Sequence, residues 1–467
     1  MNLAKTLLLS GLTLSSVANG TEPDSSKQHL SGGATTVLDK TSNAFSLPAN
    51  NLSMGRRDNF FIGNAFFKQP WVIAPSSTSA RDGLGPLFNS NSCQGCHVKD
   101  GKGHPPLTRE ERFLSTLVRV SIPVETPAQQ ALVTTLGVVP EPNYGDQIQP
   151  HSIARLKGEA TPSFEYEEIK GQFKDGETYT LVKPKLKLEE LNYGALHPQA
   201  QLSARVAPVM IGMGLLEAIP EADLLAIADP EDKNADGISG RVNQVWDINA
   251  QKTVLGRFGW KANQPTVAQQ TAGAFQGDLG ISSPLFTSQP CTATQTDCLK
   301  APNGGQPEIN QELLDMVTFY ASLLAVPARR EVNDPEVLKG ERLFKQVNCS
   351  ACHLPELKTG VKPDFPELEH QRIQPFTDLL LHDLGEGLAD QRPDFLASGR
   401  EWRTAPLWGI GLVETVNGHT RFLHDGRARN LMEAILWHGG EAEVSRQQVL
   451  NLSQAERSAL LRFLNSL

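Results

Sequence analysis

The chain has 467 residues and a formal net charge of −9, with 39% hydrophobic and 20% charged residues. With a sequence pI near 5.7, it lacks the excess of basic charge that nucleic-acid binding requires. Beyond the N-terminus no stretch approaches the roughly 20 apolar residues of a membrane span. The first 20 residues read as an export signal: Lys5 is a positive start, Leu7 to Val17 is a mostly apolar run too short to span, and Ala18 and Gly20 suit cleavage after Gly20. The rest is long enough for two or three domains at about 150 residues each.

Residues 21–45 are rich in Ser, Thr and Gly and read as an exposed arm. Gly63-Asn64-Ala65-Phe66-Phe67 then has the glycine-to-phenylalanine spacing that returns in Gly340-Glu341-Arg342-Leu343-Phe344, where a helix opens after Asp334-Pro335. Cys93-Gln94-Gly95-Cys96-His97 returns as Cys349-Ser350-Ala351-Cys352-His353. Arg205-Val206-Ala207-Pro208, leading to Gly212-Met213-Gly214-Leu215-Leu216-Glu217, returns as Arg403-Thr404-Ala405-Pro406, leading to Gly409-Ile410-Gly411-Leu412-Val413-Glu414. Three echoes in one order predict a duplicated unit. In the first copy, Phe164 to Glu167 and Thr178 to Val182 alternate like strands around the turn Asp175-Gly176, so a β insertion is expected near 115–190. Ile309 to Val326 reads as an amphipathic helix stopped by Pro327, and Ser453 with Glu456 forms a capping box for a last helix.

Each Cys-x-x-Cys-His string places two thiols one helical turn apart, with a histidine behind them. That is the spacing for attaching one haem through both vinyl groups, the histidine becoming the proximal iron ligand. Structural zinc needs paired strings close together, and these lie about 250 residues apart. A redox dithiol needs a strand before it and a long helix after it; here polar loops follow. The sequence therefore predicts two covalent c-type haems, one on Cys93, Cys96 and His97 and one on Cys349, Cys352 and His353. The remaining cysteines, Cys291 and Cys298, read as a disulfide in an exported protein.

Longer strings carry a family resemblance: Asp82-Gly83-Leu84-Gly85-Pro86-Leu87-Phe88-Asn89, Asp236-Gly237-Ile238-Ser239-Gly240-Arg241, Gly256-Arg257-Phe258-Gly259-Trp260-Lys261-Ala262-Asn263, Leu381-His382-Asp383-Leu384-Gly385, Trp402-Arg403-Thr404-Ala405-Pro406 and Leu423-His424-Asp425-Gly426-Arg427. On these the chain resembles the bacterial di-haem oxidoreductases, often labelled thiol oxidoreductases, within the superfamily of di-haem cytochrome c peroxidases and methylamine-utilisation (MauG-type) proteins. The fold expected is mainly α. It comprises a first cytochrome c-like haem domain at 46–327, carrying the β insertion, and a second at 328–467.

His424, His438, Met432 and His382 are candidates for the sixth ligand of the second haem. The resemblance favours His438, at the far end of the helix after the His-Asp-Gly turn, where the peroxidases usually place Met; histidine there lowers the haem potential. The matching helix of the first unit ends in Ala274 and Phe275, so that haem is expected to be open, or to carry a displaceable ligand from His104, His151, His197, Met210 or Met213. Asp278 matches the family's catalytic glutamate, one methylene shorter, and Trp260 matches its relay between haems. Asp232, Asn234 and Asp236 place oxygens at alternate positions before Gly237, like the start of a calcium loop, with Asn243 where that loop wants Glu.

The expectation is a periplasmic di-haem oxidoreductase. Electrons from a small donor such as a cytochrome pass through a bis-histidine haem to a reactive haem that meets peroxide or another small oxidant. The competing readings are a pure electron carrier and a MauG-type enzyme oxidising a protein, metal or thiol.

Overall fold

In the computed structural model, two pairs of helices repeat one crossing. The structure describes residues 29–467 except 79, 109 and 110; the export-signal reading lies outside them. Helix α1 (Met54–Lys68) packs on α4 (Gln311–Ser322), and α5 (Pro335–Gln346) packs on α7 (Gln454–Ser466). Between them along the chain come α2 (Cys93–Cys96), α3 (Val267–Leu279) and, before α7, α6 (Leu431–Leu436). Each crossing is set by a glycine. A methyl group on Gly63 would press into the Met316 carbonyl, and one on Gly340 into that of Ala459. Gly214 and Gly411 make the same close approach to the ends of α4 and α7, at Ser322 and Asn465. The glycine-to-phenylalanine echo thus has a packing cause. Four residues after each crossing glycine, Phe67 and Phe344 stand 6.3 Å from the rings of His97 and His353.

Local signals explain the helix ends. Asn310 accepts from the Leu313 amide at 2.9 Å, Asp334 from Glu336 at 2.8 Å, and Glu456 from Ser453 at 2.8 Å. One continuous hydrophobic core runs from Ala44 to Leu467 and takes residues from both halves. Residues 29–45, expected as part of an exposed arm, are tied into it: Ser31, Thr35, Ala44 and Phe45 are buried, and Val37 bridges to Pro327. The Cys291–Cys298 disulfide is formed.

The mainly α expectation is corrected: 30% of the chain is helix and 18% strand. The β region is larger than the periodicity suggested. A sheet of β1 (Thr116–Ser121) between Gln147–Ile148 and β4 (Gln201–Val206) carries a second core around Val118, Val120, Tyr144 and Ile148. Two long strands, β2 (Thr161–Gln172) and β3 (Thr178–Glu189), form a separate hairpin. Strands also occur outside the insertion, in the ribbons Gln244–Asp247 with Lys252–Leu255 and Leu381–Asp383 with Glu401–Arg403. Ribbons of three or four residues are too short to show a period; the hairpin's alternation around Asp175-Gly176 is visible in the sequence, but its strands run longer than that alternation. Much of the chain is irregular because loops, rather than long helices, wrap the central cavity.

The hairpin reaches from the first half to the second. At its tip the Lys174 amide donates to the Leu450 carbonyl at 3.0 Å. Arg457 of α7 lies 4.0 Å over the Phe173 ring and pairs with Asp175 and Glu177. No helix among the described residues is long and apolar enough to cross a membrane.

Candidate functional site

Both Cys-x-x-Cys-His strings open onto one cavity of about 660 Å³, whose lining includes Cys96, His97, Cys349, Cys352 and His353. That volume is ordinary for a cofactor site. In the first string, the Ser92 hydroxyl accepts from the Gly95 amide at 3.1 Å and starts the single turn that sets Cys93 against Cys96. His97 Nδ1 lies 2.8 Å from the Pro208 carbonyl. A carbonyl only accepts, so Nδ1 carries the proton and Nε2 keeps its lone pair. Burial holds this imidazole down to about 4, against the carbonyl's pull, and so keeps it neutral.

The second string repeats the device, with His353 Nδ1 2.9 Å from the Phe376 carbonyl. Burial, with the neighbouring His438 adding to it, holds His353 down to about 4. His438 ends the turn after α6 and gives its Nδ1 to the Ala434 carbonyl at 2.7 Å, which again frees Nε2. Burial lowers its basicity as well. Two neutral imidazoles with bare Nε2 atoms thus stand near one another in the cavity lining.

The other ligand candidates are otherwise engaged. His382 uses both nitrogens, Nε2 on Asp378 at 2.8 Å and Nδ1 on Glu441 at 2.7 Å. Burial opposes its charge, but these bonds and the Cys352 contact push its basicity far up, so it is an imidazolium. Asp378, His382 and Cys352 converge closely enough for a metal, yet the imidazole nitrogens are already spent. His424 stacks on Trp402, centroids 3.7 Å apart and planes 13° from parallel. Met432 packs against the core and does not line the cavity.

Beside the first string, α3 presents Gln270, Gly273, Ala274 and Gly277 to the cavity. This i, i+3, i+4, i+7 stripe is nearly free of bulk, and a methyl at Gly273 or Gly277 would find nothing closer than 3.7 Å. Asp278 follows it. Its backbone carbonyl accepts from Asn89 and Ser90, just ahead of the cysteine turn, at 2.8 and 3.2 Å. Its side chain faces the cavity, and Gln147 Nε2 donates to Oδ1 at 2.9 Å. Burial raises the Asp278 carboxyl; the Arg119 charge and the Gln147 bond oppose it. Gln147 and Arg119 are opposed residues of neighbouring strands. Neither was singled out from the sequence, because both sit in a β region whose residues carry no metal-ligand signature. Of the loop candidates near this site, Met210 and Met213 line the cavity, while His104, His151 and His197 do not.

Trp260 lines the same cavity as both strings. Its Nε1 donates to the Val206 carbonyl at 2.8 Å, the Val206 amide donates to the His424 carbonyl at 2.7 Å, and the Arg403 amide donates to the Trp260 carbonyl at 2.9 Å. The Asp232 to Asp236 loop stands apart and exposed. There Asp232 Oδ1 accepts from the Asp236 and Gly237 amides, and Asp236 Oδ1 from Ile238.

These residues fit a haem at each string: paired thiols, a neutral histidine with a free Nε2, and a flat, small-residue wall beside the first pair. The model of a family described as "Di-haem oxidoreductase, putative peroxidase" matches residues 26–467. A solved structure with structural similarity is "Kuenenia stuttgartiensis Hydrazine Synthase Pressurized with 20 bar Xenon", 12% identical, covering 98% of this chain and 100% of that one at a TM-score of 0.32. At that score the likeness carries no argument. No curated protein matches.

Proposed function

Since this chain belongs to the di-haem oxidoreductase family, we propose that it is a periplasmic di-haem c-type oxidoreductase with one relaying and one reactive haem. Residues 46–327 and 328–467 are the two haem-bearing domains. Cys93 and Cys96 attach the first haem, with His97 as its proximal ligand; Cys349 and Cys352 attach the second, with His353 and His438 as its pair of ligands. When bound, each iron supplies a one-electron redox centre, and the first also supplies an open coordination position. The observation that carries this reading is the asymmetry of the partners. His438 faces the second string with a free Nε2, while the helix wall at the first string offers Ala274, Gly277 and Asp278.

Asp278 does the proton work for a small oxidant such as peroxide. It takes the proton from one oxygen and returns it to the leaving one. Gln147 fixes the orientation of Oδ1, and the absence of bulk at Gly273 and Gly277 leaves room for the oxidant. Trp260 serves as the electron relay, a role supported by its place in the lining that both strings share. The donor is a small periplasmic carrier such as a cytochrome. Calcium is not part of the proposal, since the Asp232 to Asp236 carboxylates bond their own loop's amides, as they do in any Asp-rich turn.

Electron paramagnetic resonance on the oxidised and half-reduced protein tests it, after a pyridine haemochrome assay has counted two haems that resist acid-acetone extraction. One low-spin bis-histidine haem and one that is high-spin, or becomes so on half-reduction, is the expected result. Two six-coordinate haems inert to peroxide in both states would make the protein an electron carrier.

A further inference from the structure

Buried and half-buried cations in this protein come in two kinds. Most have carboxylates. Arg205 lies 2.9 Å from Asp394, Lys261 3.0 Å from Asp390, Arg392 3.2 Å from Asp394, and Arg427 2.8 Å from Asp425. Arg257 has none; it donates to the Leu216 carbonyl at 3.0 Å and does not line the cavity. Lys102 and Arg403 also have none, but face the cavity. Lys102 is buried, and its Nζ has the Leu423 carbonyl at 3.2 Å and the Trp260 ring centroid at 4.7 Å. The Arg403 guanidinium donates to the carbonyls of Gly259 at 2.9 Å and Thr404 at 3.3 Å. Among the described residues, neither has a carboxylate within the 4.0 Å of an ion pair. Both line the cavity.

An unpaired ammonium or guanidinium out of reach of bulk water is costly. Two of them facing one cavity, Lys102 over the Trp260 ring and Arg403 on the carbonyl of the preceding Gly259, call for anions that the chain itself does not supply. Lys102 comes from the loop after the first string and Arg403 from the second half, so the pair meets at the junction of the two sites. Resting on the di-haem reading, we propose that Lys102 and Arg403 are the seats of haem propionates, both beside the Gly259-Trp260 segment. A carboxylate on each neutralises the charge facing the cavity and ties the cofactors to the segment around Trp260. Burial holds Lys102 down to about 7 despite the distant Asp425 charge, which fits a cation that lacks its anion.

The test uses the exported full chain and its K102M, R403Q, K102R and R403K variants. Haem content is read first by pyridine haemochrome, then midpoint potentials by spectropotentiometry. Removing a propionate's counter-charge leaves net negative charge near an iron and favours the ferric state. Each neutral variant should therefore lower one midpoint, with about a tenfold fall in the reduced-to-oxidised ratio at a fixed potential, or about 59 mV for one electron. The propionate, no longer held ionised, should also make that midpoint more pH-dependent over roughly pH 5 to 8. The charge-keeping variants should stay nearer to wild type in haem content and midpoint. Wild type without covalent haem overturns the di-haem reading and this proposal with it. Two attached haems whose midpoints ignore K102M and R403Q overturn this proposal alone. So does equal loss in charged and neutral variants, which marks a packing role. So does a wild-type midpoint that responds to added acetate and loses that response in K102M, which would place a free anion on the lysine.

Discussion

His382 shows how a residue that looks like a ligand can serve a different purpose. It sits between Asp378 and Glu441, both shielded from water, and its protonated form holds them together beside Cys352. His382→Gln should cost about 3–5 kcal/mol, the scale for breaking a buried ion pair, measured by denaturant unfolding. The folded basicity lies above the unfolded value, so this stability is fully present below about pH 6.5. It is lost as pH rises toward the raised folded value; a stability profile for the wild type that climbs with pH while H382Q stays flat would be the wrong sign. His438→Gly should turn only the second haem high-spin and slow electron delivery. Asp278→Asn should leave both haems attached yet slow the reaction with peroxide by about 10²-fold or more. Because burial raises the Asp278 carboxyl, the base form is lost as pH falls through that raised value. The wild-type rate should fall with it, and stopped-flow rates against pH should show that acid limb in wild type and not in D278N.

Among the elements, the paired crossings α1–α4 and α5–α7 depend on glycine for closeness. Gly340→Ala should gain about 1 kcal/mol in helix propensity. It should still destabilise the protein by about 1–3 kcal/mol, because the new methyl meets the Ala459 backbone carbonyl, which cannot swing aside as a side chain can. Thermal unfolding of G340A decides between the two effects. The β2–β3 hairpin is held at its tip by Arg457, whose side chain is 5% exposed. Arg457→Ala removes both the Phe173 contact and the Asp175 and Glu177 pairs, so proteolysis near Gly176 should speed up while both haems stay attached. Unchanged cleavage would mean that the Lys174 to Leu450 backbone bond suffices to hold the hairpin.

For the whole molecule, the two Cys-x-x-Cys-His strings, their histidines and the duplicated order of glycines and phenylalanines were legible in the sequence, because each is a short local pattern whose spacing is its geometry. The helix starts at Asp334 and at the Ser453–Glu456 box were legible for the same reason, and so was the pairing of Cys291 with Cys298, seven residues apart. The amount of β structure was not. Ribbons such as Leu381–Asp383 with Glu401–Arg403 are fixed by partners distant along the chain and are too short to show a period. Nor could spacing bring Gln147 and Arg119 to Asp278, or bring Lys102 and Arg403 to the Gly259-Trp260 segment. Those placements join segments more than a hundred residues apart, and they follow from one hydrophobic core that folds both halves around a single cavity. The sequence by itself determined where the two Cys-x-x-Cys-His strings stand and which residues are candidates for holding an iron. Only the tertiary structure decided which side chains face the cavity, because burial and ion pairing, not residue type, separate a free imidazole at His438 from a spent one at His382.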